Sequence, residues 1–291
     1  MPFKDIDIFL SAAAAILQGN DPYSIPNLEV FYPLPFYFLF IPLASLPVPV
    51  VYVLWTALSA SVLIAILRQR VVWAALSMPV LLTFLLGQVD VVMLALYAAL
   101  RSGVGAGIAL AFLVLKPQLV LLLAPWMLWQ WWRTDRRQLV GFVLVLGVLG
   151  VGSFIAQPDW LAHFFLRSGE RTRAAISSSL WGLLAFLPPP WWLTAGALGS
   201  IGLIVWAWRK NDLDIVAATG LFISPFVFSY NTLPLLAMVR QPVFLVAYTV
   251  ISWIAFGISA VVLSDSASAL LTVTVLVALI HQHRGEFLPP K

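Results

Sequence analysis

The chain has 291 residues, of which 62% are hydrophobic and only 10% are charged. Soluble domains carry roughly 25% charged residues, so this composition excludes a soluble globular domain. The absence of cysteine excludes disulfide bonds and thiol chemistry. The formal net charge of +4 comes from basic residues grouped between apolar runs, which indicates membrane orientation rather than nucleic-acid binding.

Residues 4–18 are predicted to form an amphipathic helix, because their apolar residues fall on one stripe at helical spacing. The stripe consists of Ile6, Phe9, Leu10, Ala13, Ile16 and Leu17. Asp7 lies on the opposite face, where we interpret it as a solvated charge. Asp5 lies at the edge of the stripe, and two interpretations stay open: an acid favoured by the helix dipole, or a functional acid held at the membrane surface.

A turn and a loop are predicted to follow this helix, up to position 33. The sequence GNDPY at 19–23 has turn chemistry. Tyr23 and Tyr32 are typical of a membrane interface.

Five apolar runs approach the length of about 20 residues that a helix needs to cross a bilayer. They are residues 50–67, 138–156, 191–208, 242–262 and 266–283. Shorter apolar pieces lie at 34–47, 71–86, 88–100, 104–115, 117–132, 214–229 and 232–239. Together they predict about ten hydrophobic helices in a single membrane domain that comprises residues 1–291.

Polar or helix-breaking residues interrupt the shorter pieces. The breaks are GQVD at 87–90, KPQ at 116–118, SP at 224–225 and SYNT at 229–232. A broken helix in a membrane leaves backbone groups unpaired unless they face protein or a watery cavity. We therefore predict an all-α polytopic membrane bundle, with several short or broken helices around an extracytoplasmic cavity.

The positive-inside rule assigns the basic groups to the cytoplasmic side. Residues 1–33 are then an extracytoplasmic helix and loop, residues 34–283 form the transmembrane helices, and residues 284–291 are a cytoplasmic tail. The polar breaks fall on the outer side.

The path of one region stays open. If 34–47 and 50–67 both cross the membrane, Arg68 ends on the outer side, against the rule. Charge alone does not decide between the two paths.

Several motifs follow one another in a fixed order along the chain. They are an acid with an aromatic four residues later (Asp5 and Phe9), LQGNDPY, FYPLPFYFLFIPLASLP, GQVDVVMLAL, GIALAFLVLKPQLVLLLAPWMLWQWWR and SPFVFSYNTLPLL. This series resembles the GT-C superfamily of membrane glycosyltransferases. Within it, the chain looks most like the bacterial polyprenol-phosphate-mannose-dependent mannosyltransferases of glycosyltransferase family 87.

The resemblance implies that an acid in the first extracytoplasmic loop acts as catalytic base, and the matching residue is Asp5. Lys116 matches a lysine that the family has in a broken helix. Tyr230 and Asn231 stand where the family often has Tyr-Asp or a histidine, so an ionisable role there is lost or has moved. The family normally has a transmembrane helix before the acidic loop. Since none precedes Asp5 in this sequence, we expect residues 1–33 to correspond to a first loop whose preceding helix is missing.

Sugar transfer from a lipid phosphate needs a base that takes the proton of the acceptor hydroxyl. Asp5 is the preferred base and Asp7 is the second choice. Asp90 is a further candidate, because an acid within an apolar stretch is costly to keep. The alternatives for Asp90 are a packing role, in which it pairs with a nearby arginine, or a position near a membrane edge.

The departing phosphate needs cationic groups. Lys116 is the first candidate, a lone cation before a helix-breaking proline; the alternative is a lysine that extends along a helix end to the interface. Arg171 and Arg173 could bind an anionic lipid head or be solvated loop charges. The residues predicted to line the cavity are Tyr23, Tyr32, Gln88, Gln118, Tyr230 and Asn231.

Two further expectations concern polar groups. The serines at 177–179 are expected to cap a helix. The spacing of histidines and carboxylates suggests no metal site, and no cofactor is expected.

These expectations describe a glycosyltransferase of the cell membrane, prokaryotic by the resemblance. It would move a hexose, mannose first, from a polyprenyl-phosphate sugar to a lipid or glycan acceptor on the extracytoplasmic face, by one inverting displacement. Its partners would be donor, acceptor and membrane lipids, and not nucleic acid. The alternative is a non-catalytic or truncated relative that acts as a structural subunit of an unknown partner, or as a lipid-binding or transport protein.

Overall fold

The computed structural model describes residues 2–169 and 176–283. The chain is 78% helical, and the described residues form no strand, which confirms the predicted all-α class. The predicted tail at 284–291 lies outside the described residues.

The α-helices of the described part are numbered α1 to α16 in chain order. They are α1 Lys4–Leu17, α2 Leu34–Tyr37, α3 Ile41–Ala44, α4 Val48–Leu67, α5 Val71–Ala74, α6 Met78–Leu86, α7 Asp90–Ser102, α8 Ala106–Leu113, α9 Leu123–Thr134, α10 Arg136–Ala156, α11 Trp160–Gly169, α12 Leu180–Leu183, α13 Pro189–Lys210, α14 Leu213–Ile223, α15 Pro242–Val262 and α16 Ala269–Gln282. Short 3₁₀ segments lie at Pro22–Ser24, Phe38–Phe40, Arg68–Arg70, Pro117–Leu119, Ser229–Ala237 and Asp265–Ser268.

Five helical segments of the described part are long and apolar enough to cross a membrane, and they correspond to the five predicted spans. They are Val48–Ala74, Arg136–Ala156, Pro189–Lys210, Pro242–Val262 and Asp265–Gln282. The second and third expose most of their apolar side chains. Such surface is stable against lipid and not against water, so these helices form the outside of a membrane bundle.

The shorter elements fill the interior. α6 and α7 together have the length of one span but are bent by 118° at the break between them. α14 is buried along nearly its whole length, and the 3₁₀ segment Ser229–Ala237 is buried beside it. The predicted broken helices are therefore present, and they are surrounded by the longer ones.

The two ends of α7 mark the two ends of the bundle. α7 has 13 residues, which is a length of about 20 Å. We call the end near Asp90 the Asp5 end, because Asp5 lies there. We call the other the Arg101 end; there Arg101 pairs with Asp214 at 3.0 Å and donates to the carbonyl oxygen of Ala237 at 2.8 Å.

Charge left open whether residues 34–47 and 50–67 both cross the bundle. Contacts at both ends of α4 answer this question. In its first turns, Tyr52 donates a hydrogen bond to Asp7 at the Asp5 end. Just past its last residue, Arg70 donates to the carbonyl oxygen of Val239 at the Arg101 end. Residues 34–44 instead pack beside α1. Within residues 34–67, only α4 runs between the two ends, so Arg68 lies with Arg70 and Arg101.

The apolar face of α1 packs against this 34–44 segment. The ring of Phe9 lies 5.1 Å from the ring of Phe36 and 4.9 Å from that of Phe40. The buried face differs from the predicted stripe at its second half, since Leu17 is exposed. Ala12 and Ala15 are buried instead, because small residues let the helix approach its neighbours closely.

Candidate active site

Asp5 and Gln88 bring the first helix and the α6–α7 break together. The side-chain amide of Gln88 donates through Nε2 to Oδ2 of Asp5 at 2.7 Å. Gln88 is almost fully buried, whereas Asp5 is partly exposed. Among the described residues, no hydrogen-bond donor is present at Oδ1 of Asp5, so this oxygen can accept a proton from a bound molecule.

Gly87 allows α1 to approach this break. Its φ of +71° is a left-handed conformation that glycine adopts without strain. A Cβ at this position would lie 2.8 Å from Cγ2 of Ile6, so the helix could not sit as close. The backbone N–H of Phe3 also donates to the carbonyl oxygen of Leu85 at 2.6 Å, which fixes the start of α1 on the end of α6.

A buried ion pair lies close enough to Asp5 for its charges to act on that carboxyl. Nζ of Lys116 is 2.6 Å from Oδ2 of Asp90, and both side chains are 0% exposed. The other carboxylate oxygen of Asp90 accepts from Nδ2 of Asn231 at 3.1 Å. Asp90 therefore has a partner, as the packing interpretation expected, but the partner is a lysine and not an arginine.

Two tyrosine rings flank Lys116. Its Nζ lies 5.6 Å from the centroid of the Tyr32 ring and 5.4 Å from that of Tyr230. Both distances are within the range of cation–π attraction. Both tyrosines are partly exposed, whereas Lys116 is fully buried.

Other tyrosines hold Tyr32 in place. The hydroxyl of Tyr37 accepts from the backbone N–H of Tyr32 at 3.0 Å, and the hydroxyl of Tyr23 donates to its carbonyl oxygen at 2.8 Å. Tyr23 is 3% exposed, so here it supports Tyr32 from within the protein. Gln118 is partly buried two residues after Lys116.

A network around Asp265 supports the segment that carries Tyr230 and Asn231. The carboxylate of Asp265 accepts from the hydroxyl of Ser178 at 2.6 Å, from the backbone N–H of Ser229 at 2.6 Å and from the hydroxyl of Ser268 at 2.8 Å. Sequence reasoning did not single out Asp265. Its signal is an acid in the short connection between two apolar spans, whereas Asp90 drew attention as an acid within an apolar stretch.

The serines that precede α12 do not cap it. Ser179 is the N-cap residue, but its side chain makes no capping hydrogen bond. Ser177 instead accepts from the backbone N–H of Val227, and Ser178 binds Asp265. The helix-capping interpretation of these serines is therefore wrong, and they link two loops at the Asp5 end.

The remaining site candidates are Asp7, Arg171 and Arg173. Asp7 is partly buried and accepts a hydrogen bond from the Tyr52 hydroxyl at 2.5 Å, so it is not the freely solvated charge that the sequence suggested. Arg171 and Arg173 lie outside the described residues. Their predicted role in phosphate or lipid binding stays a prediction.

The surroundings of Asp5 suit a base. Burial raises the pKa of the Asp5 carboxyl above its usual 3.8, and Asp90 adds to this. The hydrogen bond from Gln88 and the charges of Lys116 and Lys4 act in the opposite direction. A carboxylate with a raised pKa accepts a proton more readily, and it is deprotonated at any pH above that value.

The fold and this site define a polytopic all-α membrane protein with an acid, a buried cation and an amide gathered at one end of the bundle. Residues 31–230, more than half of the chain, match the sequence profile of glycosyltransferase family 87. The chain belongs to this family and is a glycosyltransferase. The match contains Tyr32, Gln88, Asp90, Lys116 and Tyr230, whereas Asp5 and Asn231 lie outside it. No curated protein and no solved structure matches the chain significantly.

Proposed function

We propose that the protein transfers a hexose, with mannose as the first candidate, from a polyprenyl-phosphate sugar to a lipid or glycan acceptor. The single observation behind this proposal is that partly exposed Asp5 keeps one carboxylate oxygen without a donor among the described residues, while the charge of Lys116 acts on it. The carboxylate is suited to take the proton of the acceptor hydroxyl, and the cation is suited to bind the donor phosphate.

The proposed reaction is one displacement. The acceptor oxygen forms a bond to the anomeric carbon from the face opposite the phosphate, and the bond between that carbon and the phosphate oxygen breaks. The hydroxyl proton passes to Asp5, and the electron pair leaves with the polyprenyl phosphate. The result is inversion at the anomeric carbon, with no need for a second carboxylate as nucleophile.

The role of Lys116 is supported by the cost of keeping it. A buried ion pair contributes little net stability compared with apolar side chains of similar size. A lysine that is 0% exposed in the interior is therefore better explained by a use for its charge. A phosphate that entered between the rings of Tyr32 and Tyr230 would meet this cation.

The charge distribution supports an extracytoplasmic site. Arg70, Arg101 and Arg240 lie at the Arg101 end, and the positive-inside rule assigns that end to the cytoplasm. The Asp5 end then faces the outer side of the cell membrane. There a lipid-linked sugar would present its head group beside α1, whose partly exposed face suits the interface.

Transfer in a defined system tests the proposal. The purified chain in lipid nanodiscs is given a radiolabelled polyprenyl-phosphate mannose with candidate glycolipid acceptors, and a polyprenyl-phosphate glucose serves as the comparison donor. We expect labelled product with an inverted anomeric configuration. Donor binding without transfer would favour a non-catalytic relative, and absence of both would refute the proposed donor class.

A further inference from the structure

The groups that surround Lys116 come from four parts of the chain. Asp90 of α7 is in direct contact, and Asp5 of α1 acts on Lys116 from farther away. Tyr32, before α2, and Tyr230, in the 3₁₀ segment Ser229–Ala237, present their rings. Of these, only Asp90 places a carboxylate oxygen against the amine.

An ammonium group in a dry interior is unstable without a contacting negative charge. It loses its proton and becomes a neutral amine, because desolvation disfavours the charged form. Among the described residues, Asp5 forms no hydrogen bond or ion pair with Lys116, so Asp90 is the carboxylate in contact with the amine. The charge of Lys116 therefore depends on Asp90.

Asn231 keeps Asp90 oriented for this task. The backbone N–H of Phe228 donates to Oδ1 of Asn231 at 2.9 Å, which fixes the orientation of the amide. Its Nδ2 then points to Asp90 and donates to the carboxylate oxygen that Lys116 does not use. Each oxygen of Asp90 thus accepts from one nitrogen, an arrangement that favours an ionised carboxylate.

We propose that Asp90, oriented by Asn231, is a positioning residue that keeps Lys116 charged for the donor phosphate, and that it is not the catalytic base. The claim that Lys116 binds the donor phosphate rests on the proposed function. The claim that its charge depends on Asp90 does not, so the two claims can fail separately.

Protonation of Lys116 can be observed directly. The chain contains four lysines, so a sample labelled with [ε-¹³C]lysine gives few signals, and Lys116→Met assigns the one of interest. In the unmodified protein we expect Lys116 to stay charged between about pH 6 and about pH 9, because Oδ2 of Asp90 lies 2.6 Å from its amine. In Asp90→Asn we expect its signal to titrate within that range, and in Asp90→Glu we expect it to behave as in the unmodified protein.

Binding of a polyprenyl phosphate in nanodiscs provides the second readout. Each pH unit above the titration midpoint lowers the charged fraction about tenfold. Asp90→Asn should therefore bind the probe at about pH 6 and lose about tenfold in affinity for each further unit above the midpoint, relative to the unmodified protein. A residue that only stabilised the fold would not make affinity depend on pH in this way.

The outcomes separate the two claims. If Lys116 is neutral in the unmodified protein at about pH 7, or titrates identically in Asp90→Asn, the inference is wrong; the first measurement needs no variant to fold. If Lys116 titrates as expected but polyprenyl phosphate binds neither protein, the inference holds and the proposed donor class fails.

Discussion

Gln88 donates a hydrogen bond to the carboxylate of Asp5 at 2.7 Å, although the two residues are 83 positions apart in the chain. The contact joins an interfacial helix to the break in a membrane helix. It fixes one oxygen of Asp5 and leaves the other available. The acid that would take a proton is thus positioned by a residue that is itself almost fully buried.

Replacing Asp5 tests the proposed base. Asp5→Asn keeps the size of the side chain and an oxygen for Gln88, but it cannot take the acceptor proton. We expect transfer to fall by about 10²–10⁴-fold, with donor binding nearly unchanged. Asp7→Asn is the matched control on the same helix. Its amide oxygen can still accept from Tyr52, so it should transfer normally; equal losses in both variants would assign the effect to the fold.

The dependence of transfer on pH should report the pKa of Asp5. That pKa is raised above 3.8, mainly by burial. A base works when it is deprotonated, so activity should be retained above the raised pKa and lost as the pH falls through it.

Removing the hydrogen bond from Gln88 should shift the pH at which activity is lost on the acidic side. The bond lowers the pKa of Asp5, so Gln88→Leu should raise it and move the loss of activity to higher pH. Initial rates from about pH 4 to about pH 8 measure the shift. If the unmodified protein and Gln88→Leu lose activity at the same acidic pH, Asp5 does not control the rate.

Gly87→Ala should displace α1. The alanine would have to keep the left-handed backbone conformation of Gly87, and its Cβ would lie 2.8 Å from Cγ2 of Ile6. Together these two effects should destabilise the protein by about 2–5 kcal/mol. Thermal unfolding in detergent and transfer rate should both decrease. Gly257→Ala is the control, because it lies in α15 with no atom within 4 Å of the added group. It should leave both quantities unchanged or slightly raise stability.

Asp265→Ala should loosen the segment that carries Tyr230 and Asn231. The backbone N–H of Ser229 and the hydroxyls of Ser178 and Ser268 would lose their acceptor. A buried donor without a partner costs about 1–3 kcal/mol, so we expect a lower unfolding temperature and weaker donor binding. Asp159→Ala removes an exposed acid just before α11 and should leave donor binding unchanged. Normal donor binding by Asp265→Ala would show that its network is not needed at Lys116.

Several features of the site could be read from local sequence. An acid in an apolar stretch marked Asp90, and a lone cation before proline marked Lys116. Sequence did not show that these two residues are partners, because they lie 26 positions apart, Asp90 at the start of α7 and Lys116 in the break after α8. It also missed Asp265, whose importance comes from donors that include Ser178 and Ser229 on two other segments of the chain.

The sequence by itself determined that this is an all-α membrane protein, where its five long spans lie and where its helices break. Apolar length and helix-breaking residues are properties of consecutive positions, so no packing information is needed to use them. Only the tertiary structure decided that Gln88 binds Asp5 and that Asn231 binds Asp90 across 141 positions. Such contacts depend on how α1, α7 and the 229–237 segment pack, and side chains far apart in the chain meet only after that packing is fixed.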